Sequence, residues 1–446
     1  MSNFLFEYHP ISPTTWVYLS SLVAIGMFFK FGRLWSLRNL DLLMLLAFSP
    51  GLLLIYYGYQ TQPAEPVSER VASEDSARDG PEEEEISPAA QSANGVKAFG
   101  YFWMLGCAGL WLIRMILDPM LVRRPMLNPN VTVGGLAFLG ISLFIFLMAN
   151  VIASPSSNEA STMEGKPVRM DHLIELRQEA GPGYTILNQL PPSAVKTLAI
   201  LSHLAIAVGL ILIGHRHFNN TANGFGAAML YLLLPYTSQM TGRLDHFVPA
   251  AFMIWAVLCY RRPLLSGLSL GVACGCVYCP LFLLPLWISF YWKRGLRRFV
   301  AGVVIALTAM STALVFMPSA EGFWSDLRRM FGVLRPTMQG LQGVWDPDVG
   351  GFNPVYRIPL IAVVAVLALS LALWPARKNL GTLISASAAV LLACQFWIGW
   401  GGGLYLAWFI PLVLLTVFRP NLENRVAQDV IHAPWFAKRK PRLLAA

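Results

Sequence analysis

Charge is what this chain has least of. Only 13% of its 446 residues are charged, against 56% that are hydrophobic. A soluble domain of this size could not hide that much apolar surface, which excludes a water-soluble enzyme and leaves an integral membrane protein. Cysteine is sparse, and all six (Cys107, Cys259, Cys274, Cys276, Cys279 and Cys394) lie in apolar runs. An external disulfide framework is therefore excluded. No histidine accompanies Cys274, Cys276 and Cys279, so small residues suited to close helix packing are the better reading there than a metal site. No basic stretch precedes the first apolar run, so no cleaved signal peptide is expected. No internal repeat is present, which removes the signature of a transporter built from duplicated halves.

What the chain does have is a series of apolar runs separated by short basic loops. Its net charge of +9 sits mainly in those loops and in the C-terminal segment. This is the pattern that orients membrane proteins, not a nucleic-acid footprint. The central stretch covers residues 241–299. It opens with Gly242-Arg243-Leu244-Asp245-His246 and continues as an apolar run over 247–260, then Arg261-Arg262-Pro263. A second run, 264–292, is broken by Pro280 and Pro285 and ends at Lys293-Arg294 and Arg297-Arg298. Basic residues bound that run at both ends, so both ends belong on the cytoplasmic side. It is too short for two spans of roughly 20 residues each. A Pro-broken, re-entrant pair of short helices fits it, provided protein buries the freed backbone.

Taken in order, the spans fall at about 14–29, 42–59, 99–117, 131–152, 195–213, 224–240, 247–260, 299–317, 359–374, 383–397 and 404–418. The expectation is an all-α polytopic integral membrane protein with about eleven transmembrane helices of roughly spanning length, plus the re-entrant pair. Its regions are two N-terminal spans (1–59), an acidic external loop (60–97), a membrane core (98–418) and a basic cytoplasmic tail (419–446). The first loop carries Glu82-Glu83-Glu84-Glu85 and has the composition of disorder. Further external loops lie at 153–194 and 318–357. In the latter, Phe323, Trp324, Leu327, Met330, Phe331 and Leu334 recur at helical spacing with Arg328 and Arg329 on other positions, as in an interfacial helix. Arg114, near the inner end of its span, reads as snorkelling to the interface, and His203 as a helix–helix hydrogen bond. Span seven is extendable through Asp245 if that end faces a polar cavity. The N-terminus is placed outside and the C-terminus inside, with the long polar loops, the 243–246 cluster and the Trp400 turn all on the outer face.

Arg243, Asp245 and His246 fall in one short turn at a membrane boundary. Arg binds phosphate oxygens in a fork. Asp can take a proton from a hydroxyl, and His can shuttle one near neutral pH. Glycosyl transfer from a lipid phosphate needs these groups; boundary anchoring or a local ion pair is the plainer reading. Asp346-Pro347-Asp348 could hold a divalent cation, although a Pro-initiated turn explains it better. No other metal or cofactor is implied.

Gly242-Arg243 before a span, Arg261-Arg262-Pro263-Leu264-Leu265-Ser266-Gly267, and Tyr278-Cys279-Pro280-Leu281-Phe282 together resemble the bacterial polyprenol-phosphate-sugar-dependent mannosyltransferases of the GT-C class. Tyr405-Leu406-Ala407-Trp408-Phe409-Ile410-Pro411-Leu412 resembles that family's last span, and Pro191-Pro192 another of its features. The Gln of the family's loop is Arg243 here, and its Lys before the Pro break has no counterpart near Tyr278. The resemblance implies a membrane hexosyltransferase of the cell envelope, multi-pass in a bacterial inner membrane. It would move a sugar from a polyprenyl-phosphate lipid to an acceptor on the extracytoplasmic side. It also implies an acidic base in the first external loop, where Glu69, Glu74, Asp75 and Asp79 are equivalent candidates; Asp171 and Asp245 are the alternatives. The expected catalytic set is Asp245, His246 and Asp171. The expected substrate-binding set is Arg243, Arg328, Arg329, Trp400 and Tyr405. A transporter or lipid flippase, or a non-catalytic membrane scaffold, remains the alternative.

Overall fold

A computed structural model describes residues 11–61, 88–121, 125–153, 186–187, 190–316, 322–324, 338, 341–347, 350–375, 378–399 and 404–421. The described residues form helices and no strand. In chain order these are α1 (Pro13–Phe28), α2 (Leu37–Leu46), α3 (Phe48–Thr61), α4 (Pro88–Leu117), α5 (Val133–Ala153), α6 (Pro192–Arg216), α7 (Thr221–Leu233) and α8 (Pro235–Gln239). They continue as α9 (Leu244–Leu258), α10 (Pro263–Cys276), α11 (Leu284–Tyr291), α12 (Leu296–Val315), α13 (Arg357–Leu373), α14 (Leu380–Cys394) and α15 (Leu406–Phe418).

Among the described residues, six helical stretches are long and apolar enough on their own to cross a membrane, fewer than the eleven expected spans: Leu37–Thr61, Gln91–Met120, Val133–Ala153, Pro192–Arg216, Leu296–Val315 and Pro354–Leu373. Six more apolar stretches are shorter, among them α1, α9, α10, α14 and α15. The difference has a physical reason. Every residue of α14 and α15 is buried. A helix walled by protein on all sides does not have to match the hydrocarbon thickness of about 30 Å. Two of the long helices lie on the outside instead, where α5 exposes Phe138, Ile141 and Ile145 and α13 exposes Val363 and Val366. The expected sixth span is not continuous, since α7 stops at Leu233 and α8 restarts at Pro235. Proline supplies no N–H and disfavours helix in the residue before it.

The 264–292 run forms a hairpin. α10 leads to a bend at Val277 and Tyr278, then a 3-10 turn (Cys279–Leu283), then α11. The hairpin's two ends meet: the Tyr291 hydroxyl donates to the Tyr260 carbonyl at 2.7 Å, and a Cβ on Gly295 would lie 2.8 Å from Pro263 Cγ. Its tip reaches Trp397, with Tyr278 and Phe282 ring centroids at 5.5 and 6.0 Å. α10 packs along α12 through Gly267, Gly271 and Gly275, which approach Phe299, Val303 and Met310 in turn. The order of those contacts makes the two helices parallel. A Cβ on Gly267 would stand 2.0 Å from the Phe299 carbonyl oxygen, so only glycine fits there.

One end of the bundle is closed by a buried ion network. Arg114 is 8% exposed and pairs with Asp41 and Asp118, both at 2.9 Å; Asp118 also binds Arg419 at 2.5 Å. Arg114 therefore does not snorkel. Arg38 at the same end donates to the carbonyls of Phe28 and Asn128. The acidic loop, the interfacial helix over 323–334 and the tail beyond 421 fall almost wholly outside the described residues.

Candidate active site at the opposite end

The other end gathers the polar residues that the buried network does not use. Arg243 caps α9, and Asp245 sits in its first turn, where the helix dipole favours an acid. Arg243 Nε and Nη2 donate to the two Asp245 carboxylate oxygens at 3.2 and 3.1 Å. Asp245 is buried, while the Arg243 side chain keeps 17% exposure. His246 is fully buried, its Nε2 lies 3.5 Å from Asp245, and its Nδ1 is hydrogen-bonded to the Tyr236 hydroxyl. Trp408 Nε1 donates to the Asp245 carbonyl at 3.1 Å and stacks on Tyr405 with ring centroids 4.3 Å apart. Tyr405 in turn packs 4.8 Å from the His246 ring. The structure thus joins Arg243, Asp245, His246 and Tyr405 into one cluster. Asp171, Arg328, Arg329 and Trp400 lie outside the described residues.

Asp245 and His246 are held in place more than they are presented. Asp245 has both oxygens on Arg243, and His246 has no exposed surface. Arg243 is the member that faces outward. His203, buried nearby, bonds Tyr231 at 2.8 Å and the Thr241 carbonyl at 3.2 Å, the helix–helix bond expected of it.

Beside this cluster lies a second group. The hydroxyls of Tyr59 and Tyr101 are 3.1 Å apart, and Lys97 Nζ stands 4.9 Å over the Tyr59 ring. Asp346 acts electrostatically on Lys97, Tyr59 and Tyr101, and Tyr405 acts on Tyr101, which links the two groups. Asp346 belongs to a segment held over this end by backbone bonds. Gln342 N–H donates to the Gly399 carbonyl at 2.8 Å, and Phe352 N–H to the Val344 carbonyl at 2.8 Å. Buried Arg357 anchors the segment's base, donating to the Trp397 carbonyl at 2.9 Å. Gly351 N–H closes the expected turn onto the Asp346 carbonyl at 2.9 Å.

Four acids fall among the described residues: Asp41, Asp118, Asp245 and Asp346. The first three are buried in ion pairs with arginine. Asp346 alone among them is only half-buried. The Asp-Pro-Asp turn was visible in the sequence, but Lys97, Tyr59 and Tyr101 are far from it along the chain. Among the described residues, no group of three His, Cys, Asp or Glu is placed to hold a metal ion; Asp348, the other carboxylate of the turn, lies outside them. Compared with family models, curated proteins and solved structures, the chain finds no match.

Proposed function

We propose that the chain is a membrane glycosyltransferase that takes a sugar from a polyprenyl-phosphate donor on the extracytoplasmic side. The observation that carries this reading is the pairing, at one end of the bundle, of a partly exposed arginine with a separate half-buried carboxylate, Asp346, beside aromatic side chains. In this scheme Arg243 binds the donor phosphate, and Asp245 holds the guanidinium in position. Asp346 takes the proton from the acceptor hydroxyl as that oxygen attacks the anomeric carbon. The phosphate leaves with the bonding electron pair, and Arg243 offsets its charge. Tyr405 and Trp408 wall the space between. The 263–292 hairpin is re-entrant, entering and leaving on the cytoplasmic face, with its tip under the site.

A transport path is less well supported. A polar substrate crossing the bilayer needs ionisable or polar groups near span centres. The central helices α14 and α15 are instead apolar through their middle turns, with only Ser385, Ser387 and Thr416 as polar side chains there.

The test is sugar release from a radiolabelled polyprenyl-phosphate hexose by membranes that carry the chain. Asp346→Asn should lower turnover by about 10²–10⁴-fold, the usual contribution of a general base. Arg243→Gln should raise the donor concentration needed for half-maximal rate. Unchanged turnover in both variants would remove the proposed roles.

A further inference from the structure

Lys97 reaches the site from α4, and nothing in the proposed chemistry uses it. α4 carries two charges, Lys97 and Arg114. Arg114 is answered by Asp41 and Asp118. Lys97 is 6% exposed, and an ammonium taken out of water is stable only beside an opposite charge or a set of acceptors. Its stem passes α3 at Gly58, where a Cβ would lie 2.4 Å from Lys97 Cγ, so a larger residue there would close the passage. Beyond that gap, Nζ stands 4.9 Å over the Tyr59 ring, whose hydroxyl meets that of Tyr101 at 3.1 Å. Tyr101 follows Lys97 by four positions and so lies on the same helix face.

The Asp346 segment comes down on this part of α4. The turn Gly343–Trp345 packs against the helix, Phe352 meets Phe102 edge-on with ring centroids 5.3 Å apart, and Trp345 lies 6.0 Å from Phe352. Asp346 directly follows that turn. It acts on Lys97 and Tyr101 of α4 and on Tyr59 of α3, with Tyr405 behind Tyr101. Phenols carry no charge below about pH 9. Among these groups, the ammonium is therefore the charge that Asp346 meets in the working range.

We propose that Lys97 is a positioning residue for Asp346: its ammonium, admitted by the gap at Gly58, fixes the carboxylate at this end of the bundle and keeps it ionised, ready to accept a proton. This rests on the reading of Asp346 as the base.

Two measurements on the full chain test it. The first is thermal unfolding, in detergent, of Lys97→Met, Asp346→Asn and the double variant, which needs no turnover. The double variant should lose less than the sum of the two single losses, because each single change strands the other charge. Additive losses would overturn the pairing, whatever the turnover. The second is the pH dependence of kcat/KM for transfer from the polyprenyl-phosphate hexose in membranes. Without the cation, Asp346 holds its proton to higher pH, so the acid limb should move up by about one pH unit in Lys97→Met. Lys97→Arg, which keeps the charge, should restore the limb to its original position. A coupled pair whose acid limb stays put in Lys97→Met, or a chain that transfers no sugar at all, would overturn Asp346 as the base and the positioning role with it. Should Lys97→Met not fold, Lys97→Gln replaces it in both measurements.

Discussion

Asp245 holds Arg243 with both carboxylate oxygens, at 3.1 and 3.2 Å, in a position that is 4% exposed. Removing one partner of a buried ion pair leaves the other charge uncompensated, at a cost of about 3–5 kcal/mol. Asp245→Asn should therefore destabilise the folded chain by an amount near the lower figure, because Arg243 keeps some access to solvent. Asp346→Asn, at a half-buried position, should cost less than Asp245→Asn. Thermal unfolding of both variants in detergent separates them, and a larger loss for Asp346→Asn would reverse the roles assigned here. The Arg243–His246 cluster was legible because its members lie within one helical turn of sequence. Asp346 was not legible as a reactive group, since Lys97, Tyr59 and Tyr101 come from distant helices. Arg114 misled for the same reason: its partner Asp41 is 73 positions away, and only Asp118, at i+4, was in view.

At the scale of elements, the sequence carried helix class and most helix positions, because long apolar runs between basic loops admit few other readings. α9 begins at Leu244 and takes in Asp245, as expected of a helix end that faces a polar region. Length was the weaker signal. Counting residues assumes that each helix meets lipid, and α14 and α15 do not. Close helix packing was foreshadowed only around Cys274, Cys276 and Cys279, whereas the tightest approach of α10 to α12 is at Gly267 and Gly271. The parallel direction of that pair depended on the hairpin's ends meeting, which periodicity does not encode. Gly267→Ala should force α10 and α12 apart and cost about 1–3 kcal/mol, as overpacking does. Gly106→Ala, where a Cβ would meet nothing within 4 Å, should be neutral or slightly stabilising. Denaturant unfolding of the two variants checks this, and equal stability would contradict the packing described.

Over the whole molecule, charge is sorted to two ends. At one end a buried network is neutral within itself: Asp41, Arg114, Asp118 and Arg419 tie α2, α4 and the end of α15 together across most of the chain. Asp118→Asn should loosen that clasp by about 3–5 kcal/mol, because it leaves Arg419 without its buried partner, and it should do so without changing donor affinity at the far site. Loss of donor affinity at unchanged stability would show the two ends to be coupled.

The proposed chemistry requires that the Asp346 segment and the 293–298 turn lie on opposite sides of one membrane. Cysteine substitution tests this directly, with Pro347→Cys and Lys293→Cys each exposed to a membrane-impermeant maleimide on intact cells and compared with the unsubstituted chain. Labelling of Pro347→Cys in intact cells, with Lys293→Cys reacting only after permeabilisation, is the predicted result. Labelling of Lys293→Cys but not Pro347→Cys from outside, or of both from one side, would contradict an extracytoplasmic site.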